Sequence, residues 1–229
     1  VILSAGNLAT TQEVMNHIQR DIDYPCGGNN LVNARYLFEA AEYVGRVSVQ
    51  VQREHSAALS QSGVSGETTL LIGGQISGQP HGLMLIYPQG NYITASPETP
   101  YLQIGESKYG KPSLDRIVSP GLSLENGAKL CLVSLESTSR SNITVGAPFE
   151  IGIYRKESLI LGNRCRFEQN NPYMVQVRRT WNDGIRNAFH ALPGFMPEQH
   201  SNIVQPDPAF PQQQEMQQQP IPQQQQLMT

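Results

Sequence analysis

The groups best placed to do chemistry near the start of the chain are backbone amides. Val1-Ile2-Leu3 is an apolar run with the character of a core strand. Ser4-Ala5-Gly6 lets the backbone turn tightly, and Thr10 or Thr11 can cap a following helix. The first N–H groups of a helix have no internal partner, and the macrodipole adds about half a positive charge there. The turn around Gly6 is therefore a natural place to hold a developing negative charge such as an oxyanion. Turn geometry alone also accounts for a glycine at this point, so both readings stand on this stretch.

Side chains with nucleophilic or ligating chemistry are scattered. Cys26, Cys131 and Cys165 are odd in number and far apart, which makes neither a disulfide framework nor a zinc pattern. The five histidines, His17, His55, His81, His190 and His200, show no spacing that sets a base beside one of those thiols. The reading calls for no cofactor and no metal, and a reducing cytoplasmic setting fits it best. A formal net charge of -3 with no Lys/Arg cluster argues against nucleic acid or a membrane surface as partner.

The elements that must carry the Gly6 turn follow from periodicity. Val14, Met15, Ile18 and Ile22 give a helix from Ala9 to about Ile22, and Leu37, Ala41, Val44, Val47 and Val51 give a longer one from Asn33 to about Ala58. Thr68–Ile76 and His81–Tyr87 read as a hairpin covered on both faces, followed by short strands at Asn91–Ser96 and Tyr101–Ile104. A short helix is expected from Glu106 to Val118 and another from Ser123 to about Arg140. A second hairpin pairs Phe149–Tyr154 with Ser158–Leu161, and a last helix follows Pro172. Hairpins rather than helical crossovers link the strands, so the fold class is α+β with layers in the order helix, sheet, sheet, helix. From Pro197 the chain is mostly Gln and Pro and is expected to be a disordered tail.

Three segments, Ser4-Ala5-Gly6-Asn7-Leu8-Ala9-Thr10-Thr11-Gln12, Gln103-Ile104-Gly105-Glu106-Ser107-Lys108-Tyr109-Gly110-Lys111-Pro112-Ser113-Leu114-Asp115-Arg116 and Ser137-Thr138-Ser139-Arg140-Ser141-Asn142-Ile143-Thr144-Val145-Gly146, closely resemble the bacterial proteasome-related peptidases called Anbu. The resemblance runs from Val1 to about Leu192. It implies the proteasome β-subunit fold, a four-layer αββα sandwich of the N-terminal-nucleophile hydrolase class, here apparently lacking its first strands. It also implies a peptidase domain over 1–196, N-terminally incomplete, ahead of the tail at 197–229. Self-association into a ring or helical assembly and peptide or protein substrates are implied as partners.

In such proteins an N-terminal Thr attacks the peptide bond, its own α-amino group serves as base, and an Asp and a Lys on the first strands tune the pair. None of these is expected among the residues given, so a threonine peptidase subunit is expected without its nucleophile, and to fold poorly alone. The alternative is a non-catalytic structural subunit of the same kind of assembly. A third reading, an unrelated α+β module binding a small anion at Gly6, is disfavoured by the match.

By the same resemblance Gly6 is the oxyanion donor, while Ser4 and Leu8 flank the first specificity pocket. Glu106 falls where proteasomes carry a Ser near the α-amino group, and Ser141 and Thr144 fall on the Asp and Ser of their Arg-Asp-x-x-Ser-Gly-Gly turn. The loss of that Asp at Ser141 and the gain of Glu106 imply that a supporting carboxylate has moved from one loop to the other. The competing account is that Glu106 merely opens a helix.

Overall fold

Val1–Leu3 does enter a strand, but the helix behind it is capped by a residue the pattern did not single out. In the computed structural model, which describes residues 1–25, 28 and 30–196 apart from the side chain of Asn163, β1 (Ile2–Gly6) ends at Gly6 and α1 (Leu8–Asp23) begins behind Asn7. Asn7 Oδ1 accepts the Thr10 N–H at 3.1 Å, so the cap is Asn7 rather than Thr10 or Thr11. Both threonines are buried in the first turn. Thr11 donates to the Asn7 carbonyl at 3.0 Å, and its hydroxyl also lies 3.0 Å from that of Thr68. Cys26 and the tail from 197 lie outside the described residues.

The second helix, α2 (Leu37–Gln61), starts with its apolar stripe at Leu37, four residues later than the Asn33 boundary expected. The reason is local. Asn30 Oδ1 accepts the N–H groups of Val32 and Asn33, which holds that stretch in a turn. The Glu39 carboxylate then accepts from the N–H groups of Arg35 and Tyr36, at 2.7 and 3.3 Å, and starts the helix there.

The next three strands, β2 (Thr68–Gly74), β3 (Gly82–Ile86) and β4 (Tyr92–Thr94), join β1 in an antiparallel sheet of order β1-β2-β3-β4. Its register sets Ser4 opposite Leu70, and Leu70 opposite Ile86. Because side chains alternate along a strand, Leu70, Ile72, Met84 and Ile86 meet Val14, Ile18, Ala41, Val44 and Val51 of the two helices in one core. Leu71 and Leu85 are buried on the opposite face, so both faces of the central strands are covered, as their continuous apolar character implied.

The remaining elements are α3 (Lys111–Ile117), α4 (Leu124–Ser141), β5 (Phe149–Tyr154), β6 (Leu161–Phe167) and α5 (Pro172–His190). Ser123 caps α4 by accepting the Asn126 N–H, as expected. β5 and β6 form a separate antiparallel pair, and Leu132 of α4, Phe149 of β5 and Met174 of α5 make its core.

Three expectations give way. Tyr101–Ile104 is extended but unpaired as a strand, and α3 begins at Lys111 instead of Glu106. The second arm of the late hairpin starts at Leu161, because Glu157 and Leu159 adopt positive φ (65° and 53°) and spend Ser158–Ile160 on the turn. The chain divides into two units, Val1–Ile185 and Arg186–Thr229.

One core contact is sensitive to alkali. Tyr43, buried on α2, donates to Asp21 Oδ2 at 2.9 Å. Burial first, and that hydrogen bond second, push its phenol up from 10.0 to about 12. A raised folded-state value means the contribution is intact below the unfolded value and is lost as pH climbs through the folded one. Stability is therefore expected to fall between about pH 10 and 12, and Tyr43→Phe is expected to flatten that fall. Thermal midpoints of both proteins across the range test it, and equal slopes would refute it.

Candidate active site

Gly6 stands exposed at the end of β1 with φ +125°, a conformation that only glycine adopts readily. A Cβ there would fall onto the Glu67 carbonyl oxygen and come within 3.0 Å of Thr68 Cα. Glycine is thus demanded by geometry, whatever else the turn does. The next residue, Asn7, gives its N–H to the Glu67 carbonyl at 2.9 Å and its amide Nδ2 to the Ser65 carbonyl at 3.0 Å. These bonds fasten the junction to the loop ahead of β2.

Two loops arrive beside it. Gly105, at φ +78°, lets the chain turn next to β1, where a Cβ on it would touch Ala5 Cβ at 3.5 Å. The following residue, half-buried Glu106, accepts a hydrogen bond from Asn142 Nδ2 at 2.9 Å. Asn142 Oδ1 in turn accepts from the backbone N–H and hydroxyl of Thr144, at 2.9 and 2.7 Å. A carboxylate, an amide and a hydroxyl are therefore linked in series across two loops, next to the last residues of β1. Glu106 does not open a helix, so that competing account of its acid falls away.

The loop carrying Glu106 is pinned at both ends. Lys111, the first residue of α3, donates to Asp115 at 2.7 Å and to the Tyr101 hydroxyl at 2.9 Å, and that hydroxyl also donates to Asp115. The hydrogen bond to Asp115, reinforced by that to Tyr101, pushes the Lys111 ammonium up to about 12, and its donation to Asp115 is the main cause holding that carboxyl below its ordinary range. All of this lies at the surface. Its role here is to close the 101–111 loop.

Ser141 is the exposed last residue of α4, and Thr144 is exposed one turn beyond it. The link to Glu106 runs through Asn142, which sequence reasoning passed over although it lies between the two chosen residues. Ser4 is exposed on β1, and Leu8, at the first position of α1, is 68% exposed.

A cleft of about 750 Å³ opens between the two sheets and is lined by residues including Leu3, Leu71, Leu83, Ile151, Tyr154 and Arg164. β1 thus leads from this mostly apolar cleft to the Glu106–Asn142 contact. Apolar walls of this length suit an extended peptide, and the guanidinium on the wall, Arg164, is already paired with Glu150 of the same cleft at 3.0 Å.

No family model matches the chain, and no curated protein does. Solved structures do. The chain is similar to Anbu, described as an ancestral β-subunit, from Yersinia bercovieri, at 39% identity over 85% of this chain and 80% of that one, with a TM-score of 0.78. A structure described as the helical assembly of the Anbu complex from Pseudomonas aeruginosa matches at 38% identity over 87% and 81%, with a TM-score of 0.79. A Gly-1 mutant of Anbu from Hyphomicrobium sp. strain MC1 matches at 36% over 85% and 80%, with a TM-score of 0.78.

Proposed function

The chain belongs to the Anbu family of bacterial, proteasome-related β-subunits, and from that premise we propose that it serves a threonine-type peptidase that assembles from many copies. These residues supply the supporting half of the cleavage centre. The N-terminal Thr and its amine are the half of the centre that this reading does not assign to these residues. The Gly6 turn offers a backbone N–H to the oxyanion, Glu106 steadies the protonated amine of the nucleophile, and Asn142 with Thr144 orients Glu106. Ser4 and Leu8 flank the pocket for the residue before the scissile bond, and Ser141 closes the rim. The two helix-and-sheet halves are the outer and inner layers of an αββα sandwich with the cleft between its sheets.

The observation that carries this reading is the half-buried Glu106 carboxylate, bonded to Asn142 beside the end of β1. A carboxylate within reach of an amine favours its charged form and fixes where its proton sits, which is what an amine base needs. The helical assembly of the Pseudomonas aeruginosa relative supports self-association of this one.

The test is incubation of the assembled protein with peptide substrates and with an electrophile directed at N-terminal threonines. Peptide release and a covalent adduct on a terminal Thr are expected, together with high-mass particles in light scattering. Assembly without hydrolysis or adduct would make the protein a structural subunit.

A further inference from the structure

We propose that Glu13, His17 and Glu54, with His55 held against Glu13, form a surface site for a divalent transition-metal ion that staples α1 to α2. Glu13 and His17 sit one turn apart on α1, and Glu54 and His55 are neighbours on α2. Glu13 Oε2 lies 2.7 Å from His55 Nε2, and Glu13 Oε1 lies 3.9 Å from His17 Nε2. The ligating atoms of Glu13, His17 and Glu54 all lie within 4.8 Å of one another.

A plain ion pair explains only part of this. It accounts for Glu13 and His55, but leaves His17 too far from Glu13 to hydrogen-bond it and a second carboxylate, Glu54, close to both while accepting, among the described residues, only from Gln50 on its own helix. Two carboxylates brought together repel unless a cation lies between them. Imidazole and carboxylate together are ligands suited to Zn²⁺ and its first-row neighbours. On a tetrahedral ion with bonds of about 2.0–2.2 Å, ligand atoms stand roughly 3.3–3.6 Å apart. The ligating atoms of Glu13, His17 and Glu54 need only draw in from within 4.8 Å to reach that spacing, while His55 fixes the Glu13 carboxylate from α2 at 2.7 Å. His17 and His55 retain 25% and 48% of their side-chain exposure, so an ion has access from solution.

Such an ion adds stability in proportion to its occupancy, because the unfolded chain holds no such constellation. With Zn²⁺ at about a hundred times its dissociation constant, the melting midpoint is expected to rise by about 5–10 °C. EDTA is expected to reverse the rise.

The deciding experiment measures Zn²⁺ binding by calorimetry and melting for the wild type, for Glu13→Gln/His17→Gln and for His55→Gln. One ion per chain is expected in the wild type, with binding weakened about tenfold or more in both variants. His55→Gln changes one exposed side chain and is expected to keep its metal-free midpoint, so lost binding cannot be laid to misfolding. Co²⁺ in place of Zn²⁺ is expected to give visible bands without a thiolate charge-transfer band. Unchanged binding in the variants, no Zn²⁺-dependent shift in the wild type, or a thiolate band pointing to Cys131 or Cys165 would each overturn the proposal.

Discussion

Gly6→Ala is expected to lower peptidase turnover by about 10²–10³-fold, the loss typical of one oxyanion donor, and to destabilise the fold as well. The two effects share one cause. At φ +125° an alanine is strained, at about 1–3 kcal/mol, and its Cβ would occupy the space of the Glu67 carbonyl oxygen. That oxygen is not free to retreat, because it accepts the Asn7 N–H, and Asn7 is the cap of α1. The added overlap costs a further 1–3 kcal/mol or so. Relief must come from rotating the Gly6 peptide or from opening the cap, and either one re-aims the amide that the proposal assigns to the oxyanion. Parallel measurement of melting and turnover checks this. A Gly6→Ala protein that melts lower but turns over peptide like the wild type would leave Gly6 with a structural role alone.

Glu106→Gln is expected to slow hydrolysis about ten- to hundredfold, since charge-assisted hydrogen bonds are worth roughly 1.5–3 kcal/mol. Glutamine keeps the length of the side chain and an oxygen that can accept from Asn142 Nδ2, so the loop geometry survives and only the charge is removed. If Glu106 faces the nucleophile's ammonium as proposed, losing its negative charge makes that ammonium more acidic. The acid limb of the rate profile is therefore expected to move to lower pH. Asn142→Ala is expected to reduce turnover too, but by releasing both Glu106 and the Thr144 turn. An acid limb unmoved by Glu106→Gln would reduce Glu106 to a strut between loops.

What could be seen in the residues alone was whatever repeats locally. Val14 and Ile18, or Val44, Val47 and Val51, announce their helices because burial recurs with the helical period, and all five are in or at the core. The paired strands at Thr68–Gly74 and Gly82–Ile86 are visible for another reason, the continuous apolar runs that burial on both faces requires. Tyr101–Ile104 has the composition of a strand but finds no partner, and composition cannot report a missing neighbour. Asn7 won the cap over Thr10 because the strand ends at Gly6 and the helix starts at once. At the site, Gly6 and Glu106 were within reach of the resemblance. Asn142 was not, because its contact with Glu106 joins loops 36 residues apart and leaves no periodic trace. Likewise Glu13 and His17 share a visible helical spacing, whereas their meeting with Glu54 and His55 depends on how two helices sit side by side.

The seam between α3 and α4 has a bearing on how such a centre tolerates change. Gly110, just ahead of α3, lies so close to α4 that a Cβ would strike Ser134 Oγ and come within 2.9 Å of Ser134 O and Thr138 Oγ1. Glu106 is four residues before that point of contact, and Asn142 is four residues after Thr138. The jaws of the carboxamide clasp are thus short arms rooted where α3 and α4 meet most tightly. The solvent-facing stretches around them can drift in sequence while the grip keeps its gauge, whereas any side chain larger than hydrogen at Gly110 would spread the jaws from their root.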